Sequence, residues 1–155
     1  TVGVHPCSVT DISDTDWLQK ISDLSNSLNV VAIGEIGLDF FHSAPNGWDE
    51  KSYRNKQKEF FIKQLELASA LNLNVVVHQR DKGEQCWKEI KEIIHLLNPI
   101  PVYLIGGLGL SDFNLLESYG VTGICVCSGL SKGKQFGVHL QAFVEQSDKL
   151  KLVKA

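Results

Sequence analysis

The segment Asn74-Val-Val-Val-His78 decides the fold class. It is an apolar run of strand length that ends in a polar residue, and a similar run, Asn29-Val-Val-Ala-Ile33, precedes Gly34 and Glu35. Both runs are continuously apolar rather than alternating, which is typical of strands buried on both faces of a sheet. Between them, from about Lys51 to Leu73, apolar residues recur at helical spacing. Strand, helix and strand in this order predict a parallel pair, because parallel strands need a long crossover.

The same alternation continues towards both ends of the chain. The predicted strands are Thr1–His5, Asn29–Ile33, Asn74–His78, Pro101–Ile105, Gly123–Cys127 and Leu150–Lys154. The predicted helices are Trp17–Leu28, Lys51–Leu73, Cys86–Leu97, Ser111–Gly120 and Phe136–Phe143. This order predicts an α/β fold with a parallel sheet in a single domain, since neither a repeat nor a linker divides the chain. A doubly wound sheet and an eight-stranded barrel both agree with the pattern.

Composition excludes several classes of protein. A hydrophobic content of 43% and a charged content of 21% exclude a disordered tail, a collagen-like fibre and a coiled coil. The net charge of −3 argues against a strongly basic nucleic-acid platform, although it allows a local basic site. The apolar stretches are too short to cross a membrane. The sparse cysteines, Cys7, Cys86, Cys125 and Cys127, predict reduced thiols and a cytoplasmic location.

Residues able to carry chemistry follow several predicted strands. His5 ends the first strand, Glu35 follows the second, and His78 ends the third, with Arg80 just beyond. Because the carboxyl ends of parallel strands form the active face of such folds, we expect these side chains to converge. Imidazole and carboxylate donors suit divalent metals, and an arginine suits phosphate. Each residue also has a structural interpretation: a buried ion pair for Glu35, a hydrogen-bonded core position for His78, and an exposed loop cation for Arg80.

Three further features carry less weight. Cys125 and Cys127 alternate on a strand and are expected to pack in the core. Gly106-Gly-Leu-Gly109 lacks the full glycine pattern of a dinucleotide-binding loop and predicts a tight turn. His42 lies in the loop after Glu35, from which it could reach the same site.

Four blocks of sequence occur in a specific order and spacing. They are Gly3-Val-His-Pro6; Ala32-Ile-Gly-Glu-Ile-Gly-Leu-Asp39; Gln57 and Phe61 with Gln64-Leu-Glu-Leu-Ala68; and Val75-Val-Val-His-Gln-Arg-Asp81. Together they resemble the TatD-like family of metal-dependent hydrolases, many of which are deoxyribonucleases. The resemblance implies an amidohydrolase-type (β/α)8 barrel, present in residues 1–155 as a partial barrel of about six parallel strands and five helices. It also implies a hydrolase of phosphodiester bonds whose substrate is DNA or another phosphoester.

The resemblance implies a role for each matched residue. Glu35 corresponds to a carboxylate that bridges the metals, and His78 to a histidine ligand. His5 corresponds to a histidine that lines the substrate cleft, and Arg80 to an arginine placed to contact phosphate. Asp39 is interpreted as supporting the Glu35 loop. The implied cofactors are divalent metal ions (Mg, Mn or Zn), two of them in the complete family site.

The chain also departs from the family pattern. The family's first strand carries a His-x-His pair, which is expected ahead of Thr1, and a metal-binding aspartate is expected directly after Ala155. The absence of methionine likewise suggests part of a longer protein. Ile105 stands where the family has a further ligand histidine. This substitution supports an alternative, a catalytically degenerate barrel that binds a nucleotide or a partner without turnover. A third hypothesis, a doubly wound receiver-like or nucleotide-binding domain, requires a sheet that does not curve towards closure.

Overall fold

A computed structural model describes residues 1–95, 101–106, 108, 110, 121–125, 140–142 and 144–145. The elements, in chain order, are a short 3-10 helix (Pro6–Ser8), α1 (Trp17–Ser25), β1 (Ala32–Asp39), α2 (Glu50–Leu71), β2 (Asn74–Arg80), α3 (Gln85–His95), β3 (Val102–Ile105) and β4 (Gly123–Cys125). The four strands form one sheet in the order β1-β2-β3-β4, and every neighbouring pair is parallel. The predicted parallel α/β architecture is thus confirmed for this part of the chain.

The sheet is buried much as its apolar strands predict. Seven of the eight residues of β1 are buried, and Val75 and Val77 of β2 are fully covered. Helix α2 covers one side of the sheet with a buried face that contains Phe61, Leu65 and Ala68. Its bounds differ from the predicted ones by no more than two residues. The helix begins at Glu50 because Asp49 caps it, with its carboxylate accepting a hydrogen bond from the Ser52 N–H at 3.0 Å.

The predicted strand Thr1–His5 is wrong. Only Val2 forms a bridge, to Ile33 of β1. The reason lies at Val4, whose N–H donates to Gln64 Oε1 at 2.6 Å and whose carbonyl accepts from Gln64 Nε2 at 3.2 Å. A side-chain amide therefore replaces a strand partner, and the chain then turns into the 3-10 helix at Pro6.

The predicted bounds of β1 are also wrong. The strand begins at Ala32 and continues to Asp39, whereas the sequence suggested Asn29–Ile33. Its first predicted residues leave the sheet, and Val31 is 65% exposed. The strand continues beyond Glu35 because Gly37 adopts a φ of +131° at a position where a Cβ would collide with the carbonyl oxygen of His78. Strand β2 likewise extends two residues beyond its predicted end, to Arg80.

Other predictions have mixed outcomes. Leu28 lies outside α1 and is fully exposed, and Cys125 is exposed rather than packed in the core. The Ser111–Gly120 helix, Cys127 and the Leu150–Lys154 strand lie outside the described residues. Of the predicted helix Phe136–Phe143, residues 140–142 are described and are helical, as are residues 144–145 just beyond it. Among the described residues, no helix is long and apolar enough to cross a membrane.

Candidate metal centre

Two neighbouring strands hold most of the polar residues that the sequence predicts for a site. In the parallel ladder, His78 pairs with Gly37 and Arg80 pairs with Asp39, so that β1 and β2 end side by side. The register shifts at Glu35, which has no partner in the ladder. Glu35 therefore occupies an irregular position in the strand, and its carboxylate lies close to the His78 ring.

His5, Glu35 and His78 converge as predicted. One donor atom from each residue lies within 4.8 Å of the other two. Glu35 Oε2 is 3.6 Å from His78 Nδ1, and the rings of His5 and His78 meet edge to face with centroids 4.3 Å apart. Bonds of about 2.1 Å to a tetrahedral zinc ion place two ligand atoms about 3.4 Å apart. The spacing of Glu35 and His78 therefore fits two ligands of one divalent cation.

A buried carboxylate orients His78. Asp39 is 1% exposed, and its Oδ2 lies 2.9 Å from His78 Nε2. Its Oδ1 accepts the N–H groups of Phe41 and His42, each at 3.1 Å. Burial alone would raise the pKa of Asp39, but hydrogen bonds from His78 and His42 hold this pKa well below its usual range. Because Asp39 is ionised, His78 donates its Nε2 proton, which leaves the Nδ1 lone pair for a metal.

In His5 the protein engages the Nδ1 atom, whereas in His78 Asp39 engages the Nε2 atom. Its Nδ1 accepts the backbone N–H of Cys7 at 3.1 Å. Burial, together with the neighbouring His78, lowers the pKa of His5, so its ring is neutral at pH 7. A neutral imidazole that accepts at Nδ1 carries its proton on Nε2. The side chain is therefore better suited to donate a hydrogen bond to an anionic oxygen than to bind a metal.

A second group of potential ligands shares Asp39. Cys7, Asp39 and His42 also have donor atoms within 4.8 Å of one another, with Cys7 Sγ 3.9 Å from His42 Nδ1. Burial and the neighbouring Asp39 raise the pKa of Cys7 to about 11. Since the thiolate is the form that binds metals, this group is the weaker candidate at neutral pH. His42, which the sequence placed near the site, makes its polar contacts with Asp39 and Cys7.

Arg80 is exposed and lies beside the cluster. Its guanidinium carbon is 4.2 Å from the centre of the Phe41 ring. Within the described part of the chain, Arg80 forms no ion pair, because the adjacent Asp81 accepts the N–H groups of Lys82 and Cys86 at 2.7 and 3.1 Å. The guanidinium group is therefore available to an anion at the same edge of the sheet.

Comparisons with known proteins identify the family of the chain. The family model described as "TatD related DNase" matches residues 1–101. The chain belongs to this TatD family. The uncharacterized metal-dependent hydrolase YabD of Bacillus subtilis is 41% identical over 91 residues, which make up 59% of this chain and 32% of that protein. The 3'-5' ssDNA/RNA exonuclease TatD of Yersinia pseudotuberculosis is 36% identical over 105 residues, or 68% of this chain and 36% of that protein.

A third relative is similar over a comparable stretch of the chain. An uncharacterized metal-dependent hydrolase of Methanocaldococcus jannaschii is 37% identical over 99 residues, which cover 63% of this chain and 35% of that protein. The chain thus spans about a third of the length of these curated TatD-family relatives. The four sequence blocks that carried the resemblance all lie within the residues matched by the family model.

Ile105 lies next to the candidate ligands. It is the last residue of β3, and it pairs with His78 in the ladder. This strand end therefore carries an aliphatic side chain beside His78, at the position where the TatD resemblance led us to expect a histidine. The following Gly106 has a φ of +109°, and a Cβ there would collide with the carbonyl oxygen of Gln79. That geometry agrees with the tight turn expected after this strand, while Gly107 and Gly109 lie outside the described residues.

The sequence did not reveal the residues that hold the candidate site together. Gln57 is fully buried in α2, where its Oε1 accepts the Asp39 N–H at 3.0 Å and its Nε2 donates to the Asp39 carbonyl at 3.2 Å. Asp39 in turn contacts His78, rather than only supporting the loop near Glu35. Two glutamines, Gln57 and Gln64, on the apolar face of one helix were the signal that a buried polar network lies beneath it.

Proposed function

We propose that this chain supplies part of the active site of a divalent-metal-dependent phosphodiesterase, a TatD-type deoxyribonuclease. The observation that carries the proposal is the 3.6 Å spacing of Glu35 and His78, with the Asp39 carboxylate behind the imidazole. Family membership and the names of the relatives support hydrolysis that depends on a metal. The proposal includes the fold: the four parallel strands form part of a (β/α)8 barrel in a cytoplasmic enzyme.

The donor set fits a hard or borderline divalent cation such as Mg2+, Mn2+ or Zn2+. Glu35 and His78 are proposed as its ligands. Glu35 would also help to hold a second ion, as the TatD resemblance implies. Asp39 accepts the Nε2 proton of His78, so Nδ1 is the ring atom that faces the proposed metal. When bound, such metals supply Lewis acidity and an activated water molecule for attack on phosphorus.

The other two residues are proposed to bind the substrate. His5 donates its Nε2 proton to a phosphate oxygen, which positions the phosphodiester against the metal ligands. Arg80 binds phosphate oxygens through its planar fork of N–H donors. Both interactions become stronger as negative charge develops on the phosphoryl oxygens, so they favour the transition state over the ground state.

One observation keeps a second candidate function open. Ile105 presents no donor atom beside His78, which is the feature expected of a degenerate barrel that binds without turnover. The two candidates differ in a single measurable property, namely whether bound phosphodiester is hydrolysed.

Nuclease assays on the full-length protein separate the two candidates. The metal-stripped protein is incubated with labelled DNA and with Mg2+, Mn2+ or Zn2+ in turn, beside a Glu35→Gln variant and a Glu84→Gln control on the exposed surface. We expect cleavage by the parent and the control, and a rate at least about 100-fold lower for Glu35→Gln. Undiminished cleavage by Glu35→Gln would refute the ligand assignment, whereas metal and DNA binding without cleavage by the parent would favour the degenerate barrel.

A further inference from the structure

An aromatic side chain remains open to solvent beside the proposed metal ligands. Phe41 is 38% exposed, two residues after Asp39. The Arg80 guanidinium lies 4.2 Å from the centre of its ring, and the Lys82 ammonium 5.2 Å. The His42 ring meets the Phe41 ring edge to face at 5.2 Å. An exposed aromatic ring accompanied by two cations matches both the bases and the phosphates of a nucleic acid.

The ring is tied to the site by backbone hydrogen bonds. The Phe41 N–H donates to Asp39 Oδ1 at 3.1 Å, and Asp39 also binds His78. One residue earlier, the Phe40 N–H donates to the carbonyl oxygen of Arg80 at 2.8 Å. These bonds fix the backbone of Phe41 and of Arg80 relative to the ligand pair, so both side chains start from the same edge of the sheet as the proposed metal ligands.

Neither cation of this pair is held in an ion pair by a carboxylate of the described residues. Within the described residues, neither Arg80 nor Lys82 forms an ion pair, and the carboxylate of the intervening Asp81 accepts the backbone N–H groups of Lys82 and Cys86. Two unpaired cations on a chain whose net charge is −3 mark a local binding surface for an anion.

We propose that Phe41, Arg80 and Lys82 form a nucleotide-binding platform, on which Phe41 stacks against a base of a single strand while the two cations bind adjacent phosphates. This inference rests on the proposed function, because it assigns the platform to the substrate of the same site. A duplex keeps the faces of its bases stacked on each other, whereas a single strand presents them to an aromatic side chain.

Binding measured without metal tests the platform separately from catalysis. Fluorescence anisotropy with EDTA compares a labelled oligodeoxynucleotide with matched strands that carry one abasic position, scanned along the strand. For the full-length protein, Phe41→Ala and Phe41→Leu are expected to weaken binding of the intact strand by about 5- to 150-fold, while Phe41→Trp retains it. At the abasic position that removes the stacked base, the parent and Phe41→Ala should bind equally well.

Salt titration separates stacking from charge. Lys82→Gln is expected to reduce the slope of log affinity against log salt by about 0.7, the value for one phosphate contact on a single strand, whereas Phe41→Ala leaves that slope unchanged. Trp48→Leu is the matched control, since Trp48 is another exposed aromatic side chain with a lysine, Lys56, 5.0 Å above its ring, in a groove lined by Trp17 and Phe60. It should bind like the parent.

Two results would overturn the platform. The first is that Phe41→Ala and Phe41→Leu both bind the intact strand with an affinity within twofold of the parent's, while their circular dichroism spectra match the parent's. The second is that Phe41→Ala lowers the binding affinity by the same factor for every strand, including all the abasic ones. Failure of the parent to hydrolyse phosphodiesters with any metal would instead sink the proposed function, and the EDTA measurements would still decide the platform.

Discussion

Replacing Asp39 by asparagine is expected to lower the affinity of the full-length protein for Zn2+ or Mn2+ by about 10- to 100-fold. The substitution keeps the size of the side chain but changes one acceptor oxygen into a donor. In the parent, Oδ1 accepts the Phe41 and His42 N–H groups and Oδ2 accepts from His78 Nε2 at 2.9 Å. An asparagine that keeps the backbone bonds must turn its NH2 group towards His78.

The effect on the metal follows from the histidine tautomer. Facing an NH2 group, His78 must accept at Nε2 and carry its proton on Nδ1, the atom that lies 3.6 Å from Glu35. The lone pair proposed for the metal is then lost. The same change removes a hydrogen bond to a buried charge, which is worth about 1.5 to 3 kcal/mol of folding stability.

Three measurements on Asp39→Asn test this reasoning. Calorimetric titration gives metal affinity, urea unfolding gives stability, and long-range 15N NMR of the metal-free protein reports the tautomer of His78. Asp49→Asn is the matched control, because Asp49 caps α2 at an exposed position and asparagine caps helices equally well. Metal affinity of Asp39→Asn within twofold of the parent, together with an unchanged tautomer, would refute the orienting role of Asp39.

Further predictions concern stability and reactivity. Gln57→Leu should destabilise the protein by about 2 to 4 kcal/mol in urea unfolding, because it leaves two buried backbone groups of Asp39 without partners. Gly37→Ala should reduce the melting temperature sharply, since the new Cβ meets the carbonyl of His78; a melting temperature equal to the parent's would contradict the described backbone. The folding stability that the Asp39 carboxylate contributes should be fully present above its unfolded pKa of 3.8 and should disappear as pH falls through its lower folded pKa. The free energy of unfolding of Asp39→Asn should therefore fall less steeply with acid than that of the parent. Cys7, with its pKa raised from 9.0 to about 11, should react with iodoacetamide at pH 8 about 100-fold more slowly than a free peptide thiol, as followed by mass spectrometry.

The sequence predicted those parts of the fold that depend on local pattern. Helix α2 was placed to within two residues because its apolar face and its caps are local features. The parallel strands around Val76 and Leu104 followed from apolar runs separated by helices. The convergence of His5, Glu35 and His78 also followed from position, since each was expected at the same edge of the sheet.

The parts that the sequence did not predict depend on contacts between distant residues. The pairing of Asp39 with His78 requires the register shift at Glu35, which no local pattern indicates. The strand expected at Thr1–His5 was wrong because an amide sixty residues away, on Gln64, binds both backbone groups of Val4. Long-range hydrogen bonds of this kind override local strand propensity.

The central claim is that Glu35 and His78 bind one divalent metal ion. A crystal structure of the full-length protein grown with Zn2+, with anomalous diffraction data collected at the zinc edge, tests this claim most directly. We expect an anomalous peak about 2.0 to 2.2 Å from both His78 Nδ1 and a Glu35 carboxylate oxygen, with Asp39 still bound to Nε2. A zinc peak located only among Cys7, Asp39 and His42, or no peak near His78 at saturating zinc, would contradict it.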